Sequence, residues 1–263
     1  MKYYSTALFI LIALISTSCD DIEDVEVLDA RIIVEGFLHA GQPIMIDLSK
    51  ELLYKGEVEE TSIDLEGLKV TISNGSEEYL LIDEGDGIYT NENLVSHSTS
   101  YSISFTYNGQ EVHSETLVPT KPEGFTSSTT NIEILPFTGG GPPTNLSGES
   151  IELNWENNDG AYYLVVVTNI EEDPISINST TFNRPSFRSE PLVSDNYEIA
   201  STDFESYGDH LVILYKLNPE YAALYEDSGD NSLTISTPYT NIENGLGIFT
   251  AINSDSLYVN VHD

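Results

Sequence analysis

Along most of the chain apolar and polar positions alternate with a period of two, the pattern of half-buried β-strands. The first run, 31–38, ends at a turn over 39–42, and 43–48 reads as its partner. Residues 68–73 alternate and stop at Asn74-Gly75, a strong hairpin signal, and 79–82 return from it. Residues 87–90 follow an acidic turn, and 100–107 carry Tyr101, Ile103, Phe105 and Tyr107 on alternate positions. Asn108-Gly109 is a second hairpin turn, after which 111–118 close the set. About seven short strands with turns every ~8–12 residues predict a β-sandwich that ends near Pro119.

Proline and glycine then punctuate 119–148, with one apolar island at 131–135 that reads as the first strand of a second domain. The Gly139-Gly140-Gly141-Pro142-Pro143 segment is a loop, because no Lys-Ser/Thr pair or helix start follows it as a phosphate cradle needs. Strands at 150–155 and 161–167 flank Asn157-Asn158-Asp159-Gly160. A Trp ending one strand and a Tyr opening the next resemble the fibronectin type III core, in which the indole packs between the sheets. One stretch reads as helix: Asn218 as N-cap, Pro219 at the first helical position, Glu220 at the positive dipole end, and Tyr221, Leu224 and Tyr225 on one face. Strands at 232–236 and 256–261 follow. The expected fold is all-β: two tandem Ig-like or fibronectin-III-like β-sandwich domains, 31–120 and 121–263, with one short helix in the second.

The N-terminus breaks the alternation. Lys2 precedes an unbroken apolar stretch, 7–15, and the small residues Ser16-Thr17-Ser18. A charged start, an apolar core of that length and a small-residue exit describe a secretory signal peptide over 1–18, too short to span a bilayer as a helix. Cys19, the only cysteine, comes next, and the pattern resembles a bacterial lipoprotein signal in which that thiol is acylated and becomes the first mature residue. Residues 19–30 then form an acidic tether. Asp20, Asp21, Glu23 and Asp24 within it resemble the surface-export signal of Bacteroidota lipoproteins, an address read by a receptor rather than an anchor.

Charge narrows the partners. Without Lys2 the mature chain would hold 8 Lys+Arg against 44 Asp+Glu, a net charge of −36. Such a surface repels nucleic-acid phosphate and anionic headgroups, so no nucleic acid is expected and the acyl chains alone should hold the protein to a membrane. A lone cysteine allows no intramolecular disulfide, so the fold rests on its cores.

Several pieces in order resemble a family. They are Ile32-Ile33-Val34-Glu35-Gly36, Asp86-Gly87-Ile88-Tyr89, Leu117-Val118-Pro119, the helix at 219–225, and Asn241-Ile242-Glu243-Asn244-Gly245-Leu246-Gly247-Ile248-Phe249. With the lipoprotein start, this order resembles the Bacteroidota surface-lipoprotein family catalogued as domain of unknown function 4249. Members often accompany TonB-dependent outer-membrane transporters, which implies an outer-membrane β-barrel as partner, and the family brings no catalytic residues. Gly245 and Gly247 ask for a tight bend, a bulge or a close backbone approach before the last strands.

Chemistry is sparse. His39, His97, His113, His210 and His262 show no ligand spacing, and there is no nucleophile elbow. The stretches 83–87 and 227–231 are candidate calcium loops that lack the spaced ligands and distal Glu of an EF-hand. They read as acidic turns, so no metal or cofactor is assigned beyond the lipid on Cys19. The expected function is a non-enzymatic accessory or binding subunit of a TonB-dependent transporter or other outer-membrane barrel, lipid-anchored in the outer membrane and facing the cell exterior. The alternatives are a stand-alone glycan- or peptide-binding module and a cryptic hydrolase. Aromatics beside glycine loops or outside alternating strands suit a contact surface, which singles out Phe137, Tyr221 and Tyr225.

Overall fold

The computed structural model describes residues 30–51, 65–135, 149–177, 185–226 and 239–263. Cys19, Asp20, Asp21, Glu23, Asp24, Phe137, the glycine loop at 139–141, the candidate loop at 227–231 and the expected strand at 232–236 lie outside them.

The described residues are overwhelmingly β. In the first half the strands are β1 (Ile32–His39), β2 (Pro43–Lys50), β3 (Thr71–Ser73), β4 (Glu78–Leu80), β5 (Ile82–Gly85), β6 (Ile88–Leu94), β7 (Ser100–Tyr107) and β8 (Gln110–Leu117). They continue with β9 (Glu123–Ser127), β10 (Asn131–Glu133), β11 (Ser150–Glu156), β12 (Tyr162–Asn169), β13 (Ser186–Arg188), β14 (Asn196–Ala200) and β15 (Gly208–Leu217). A helix, α1 (Pro219–Glu226), and the strand β16 (Leu246–His262) complete the order.

Alternation sets the faces. In β1, Ile32, Val34 and Leu38 are buried while Glu35 and Phe37 are exposed, and β7 buries Tyr101, Ile103, Phe105 and Tyr107. The β7–β8 hairpin turns on Asn108 and Gly109 at φ 49° and 76°, the left-handed pair that a two-residue hairpin requires. Two sandwiches result, and they share a sheet. A nine-stranded sheet runs β13-β12-β15-β16-β1-β2-β6-β5, with β10 also paired to β16. The sheet β4-β3-β7-β8 covers one end of it and β14-β11-β9 covers the other, with a separate apolar core under each.

The shared member is β16, 17 residues long. Leu246–Ile252 pair in parallel with β1, and Ile252–Val261 pair antiparallel with β15. Phe249 and Ala251 therefore enter the first core, and Val259 and Val261 enter the second. Burying Phe249 completely contributes about 2–3 kcal/mol. At the hand-over Asn253 is buried. Its Nδ2 donates to the Pro119 carbonyl at 2.8 Å and to His97 Nδ1 at 2.9 Å, stitching the 119–120 connection to the sheet.

Three local expectations change. The glycine-rich piece at 245–249 opens β16 itself instead of preceding a separate last strand, and Gly247 serves a close approach at φ 91°. A Cβ there would overlap the Val34 carbonyl oxygen and sit 2.9 Å from the Val34 nitrogen. Residues 79–82 do not return as one strand: β4 pairs with β3 in one sheet and β5 pairs with β6 in the other. Buried Leu81 makes the corner, with its N–H donating to the Val70 carbonyl at 2.9 Å. Asn218 accepts the first helical bonds with its carbonyl, but its side chain does not cap α1. Its Nδ2 donates instead to Thr116 Oγ1 (3.1 Å) and the Leu117 carbonyl (2.8 Å) on β8, an edge strand whose polar groups need partners.

Trp155 fulfils the fibronectin-like expectation. It is buried in the second core with its ring 5.4 Å from that of Tyr163, and the two strands that carry them lie in opposite sheets. Tyr163 OH donates to the Glu156 carbonyl at 3.1 Å, and burial, followed by the nearby Asp159 charge, pushes that phenol up to about 12.

Candidate functional site

The helix expected to carry contact residues lies on the outer face of the nine-stranded sheet, where α1 follows directly from the end of β15. Ala222 packs down and is buried, and Ile248 and Thr250, which point away from the first core, are buried as well. Glu220 fastens the first turn: its Oε1 accepts from Thr116 Oγ1 at 3.2 Å and from Thr250 Oγ1 at 3.5 Å. That carboxylate joins β8 of one sheet to β16 of the other.

Tyr221 and Tyr225 form a tilted pair on this helix, with ring centroids 5.9 Å apart and planes 34° from parallel. Tyr221 also meets Phe37 of β1 edge-on at 5.8 Å, and the Arg188 guanidinium of β13 sits 5.8 Å from the centre of the Tyr225 ring. Both tyrosines are half-buried. Burial first, and then the neighbouring Tyr225, push the Tyr221 hydroxyl up to about 12, so it stays a neutral donor through the physiological range. Edge-to-face pairs of this kind contribute about 0.5–1.5 kcal/mol beyond area burial. The helix thus positions two rings and also shields the centre of the sheet.

A cleft of about 380 Å³ opens beside the N-terminal end of α1, lined in part by Pro119, Tyr162, Lys216, Leu217, Asn218 and Pro219. Its one cation is committed: Lys216 Nζ donates to Asp159 Oδ2 at 2.7 Å and to Thr120 Oγ1 at 3.3 Å. The Lys216 ammonium in turn holds the Asp159 carboxyl below the usual carboxylate range. An anion entering the cleft would have to displace Asp159.

Elsewhere titratable groups serve the fold. Asp83, in one of the acidic turns, accepts from the Gly67 N–H at 2.6 Å and the Gly85 N–H at 2.9 Å, which lower its pKa. His210 is buried in the second sandwich with its ring 5.0 Å from Phe204. Asn169 Nδ2 donates to His210 Nε2 at 3.3 Å, and His210 Nδ1 lies 3.1 Å from the Gly208 carbonyl, which sets the Nδ1–H tautomer. Burial lowers the His210 pKa. Among the described residues, no three His, Cys, Asp or Glu side chains gather closely enough to hold a metal ion.

Of the sequence-predicted contact residues, the structure places Tyr221 and Tyr225 together and adds Phe37 and Arg188 to them. Phe37 had a weak signal: it is a large aromatic on the polar phase of β1, opposite in facing to Val34 and Leu38.

The fibronectin domains FN1–FN3 of chicken CNTN1 share 9% identity with this chain, with a TM-score of 0.28. The match covers 72% of this chain and 60% of that fragment, so this chain spans about three-fifths of the CNTN1 fragment's length. The fibronectin(III)-like modules of Clostridium thermocellum CbhA share 14% identity over 88% of this chain and 94% of theirs, with a TM-score of 0.23. No curated protein matches the sequence. A family model does: the domain of unknown function DUF4249 matches residues 21–257, and the chain belongs to that family.

Proposed function

We propose that this protein is a non-enzymatic, surface-exposed outer-membrane lipoprotein that works by contact, as an accessory or binding subunit of a TonB-dependent transporter or another outer-membrane barrel. The observation that carries the anchoring half is the placement of the sole cysteine, Cys19, directly after the 7–15 apolar run and Ser16-Thr17-Ser18, with Asp20, Asp21, Glu23 and Asp24 behind it. Two or more acyl chains on that thiol would give stable membrane residence, whereas one is marginal. The barrel partner is what the family resemblance implies. Support for contact rather than chemistry comes from the way reactive groups are used: Lys216 is paired to Asp159, Glu220 bridges two threonines, and His210 is locked in a core.

The test has two parts. Cys19→Ala should release the protein or leave it as an uncleaved precursor. A mature-length variant that still fractionates with outer membranes refutes the lipoprotein reading. Native protein purified from detergent-solubilised outer membranes should bring down a stable barrel. A lone monomer that retains a glycan would instead favour the stand-alone binding module.

A further inference from the structure

The outer face of the nine-stranded sheet carries a row of exposed apolar side chains that no local sequence pattern announces. Register brings them into line. Ile82 of β5 is opposite Thr90 of β6, Thr90 is opposite Met45 of β2, and Phe37 of β1 is opposite Thr250 of β16. The β1–β2 register runs to Gly36 opposite Ile46, and Phe37 and Met45 follow these two on the outer phase of their strands. Residues directly opposite in neighbouring strands point the same way. Ile82, Met45 and Phe37 are 57%, 61% and 41% exposed, and the row runs on through Tyr221 and Tyr225 to Arg188 on the far side of the helix. Single exposed hydrophobics need no explanation, but a row of them across one face, interrupted only by Thr90 between Ile82 and Met45, marks an interaction site.

Charge selects the occupant. The adjacent row on the same face holds Glu35 opposite Asp47, both exposed, about 7 Å along the strands from Phe37 and Met45. Glu84 lies on the β5 side, its Oε1 accepting from Thr90 Oγ1 at 3.0 Å within the row itself. A second copy of this chain would bring its own carboxylates against these, and an anionic lipid surface would do the same. We propose that this face docks a polypeptide surface whose apolar side chains are bordered by lysine or arginine, with the apolar groups seated on Phe37, Met45 and Ile82 and the cations on Glu35, Asp47 and Glu84. This rests on the reading of the chain as a contact protein and adds to it the face used and the chemistry of what it meets.

Met45 supplies the reporter, because Met1 and Met45 are the only methionines. The full chain carrying Cys19→Ala would be labelled at its methionine methyls, with Met45→Leu assigning the signal. The probes are a synthetic peptide of alternating leucine and lysine, its leucine–glutamate counterpart, phosphatidylglycerol vesicles, and the chain alone at rising concentration. The leucine–lysine peptide should shift the Met45 methyl, the leucine–glutamate peptide should not, and added salt should weaken the shift. Phe37→Asp and Ile82→Asp should weaken binding at least tenfold although each adds negative charge. Ile175→Asp, at a still more exposed apolar position outside the row (71%), should stay within twofold.

Several results would overturn the proposal. Equal weakening by Ile175→Asp, or none by Phe37→Asp, would mean general attraction of a cation to an acidic protein. A Met45 shift with the leucine–glutamate peptide would remove the charge argument. A shift with vesicles would make the occupant a lipid surface, and a shift on concentrating the chain would make it a second copy. No shift with any probe would mean that the face is not a docking site. None of these outcomes touches the membrane fractionation of Cys19→Ala, so failure here is distinguishable from failure of the anchoring reading.

Discussion

Replacing Gly247 by alanine tests whether β16 is held against β1 by backbone contact as well as by side-chain packing. Gly247 sits at φ 91°, and a Cβ would overlap the Val34 carbonyl oxygen. Two costs add. An L-residue held in that backbone region costs about 1–3 kcal/mol. Relieving the overlap by moving β16 off β1 strains a packed core, at roughly 1–3 kcal/mol. Losing glycine's freedom in the unfolded chain returns about 0.4–1 kcal/mol. The expected net loss is about 2–5 kcal/mol. Gly109→Ala is the control: its φ is 76°, but nothing lies within 4 Å of the added Cβ, so only the backbone cost applies. Urea titration followed by far-UV circular dichroism and by the fluorescence of Trp155, the only tryptophan, measures both variants. Because β16 places Phe249 in one core and Val259 in the other, both signals should move together to a lower midpoint at unchanged slope. If Gly247→Ala costs no more than Gly109→Ala, close approach does not set the β1–β16 pairing. If the Trp155 midpoint stays put while the dichroism shifts, the shared strand does not couple the two cores.

Three further outcomes follow from single side chains. The His210 pKa is lowered in the folded state by burial, so the unfolded chain binds the extra proton first. The stability this histidine contributes is therefore complete above its unfolded pKa of about 6.5 and is lost as pH falls from there towards the folded value. Between pH ~6.5 and ~5, above the main carboxylate range, the stability of His210→Gln should fall less steeply than that of the parent, and parallel curves would argue against it. Asn253→Ala would strip the buried Pro119 carbonyl of its donor and should cost about 1–3 kcal/mol in thermal or urea unfolding, so a loss below ~0.5 kcal/mol would mean that water replaces the amide. The indole N–H of Trp155 is buried without an acceptor among the described residues, so Trp155→Phe should cost far less than the ~3–5 kcal/mol of Trp155→Ala, measured by dichroism. Equal costs for the two would show that the N–H has a partner.

The candidate site was half legible. Tyr221 and Tyr225 could be found because a helical spacing inside an alternating chain stands out, and Pro219 marks where it begins. Phe37, Met45 and Ile82 could not. Each is one apolar residue on the outer phase of its own strand, and only register across four strands, β1, β2, β6 and β5, brings them into one row. The capping role expected of Asn218 failed for a related reason, since an amide beside an edge strand finds Thr116 and Leu117 there, partners that helix rules do not contain.

Local physics acts through each residue's near neighbours, and what it governs was settled in the sequence. Period-two burial assigned the inward residues of β1 and β7, left-handed Asn-Gly closed the β7–β8 hairpin, and the Trp155–Tyr163 pair marked a sandwich core. The pairing of β1 with β16 joins Ile33 to Leu246 across nearly the whole chain, and no spacing rule reaches that far. Any alternating strand can hydrogen-bond to any other, so the choice falls to tertiary packing: Gly247 fits against Val34, Phe249 fills the space left by Gly36, and Asn253 ties the connection to the sheet. The alternation made two sandwiches possible. The long strand shared between their cores, and the apolar row that its sheet exposes, exist only once the chain has closed on itself.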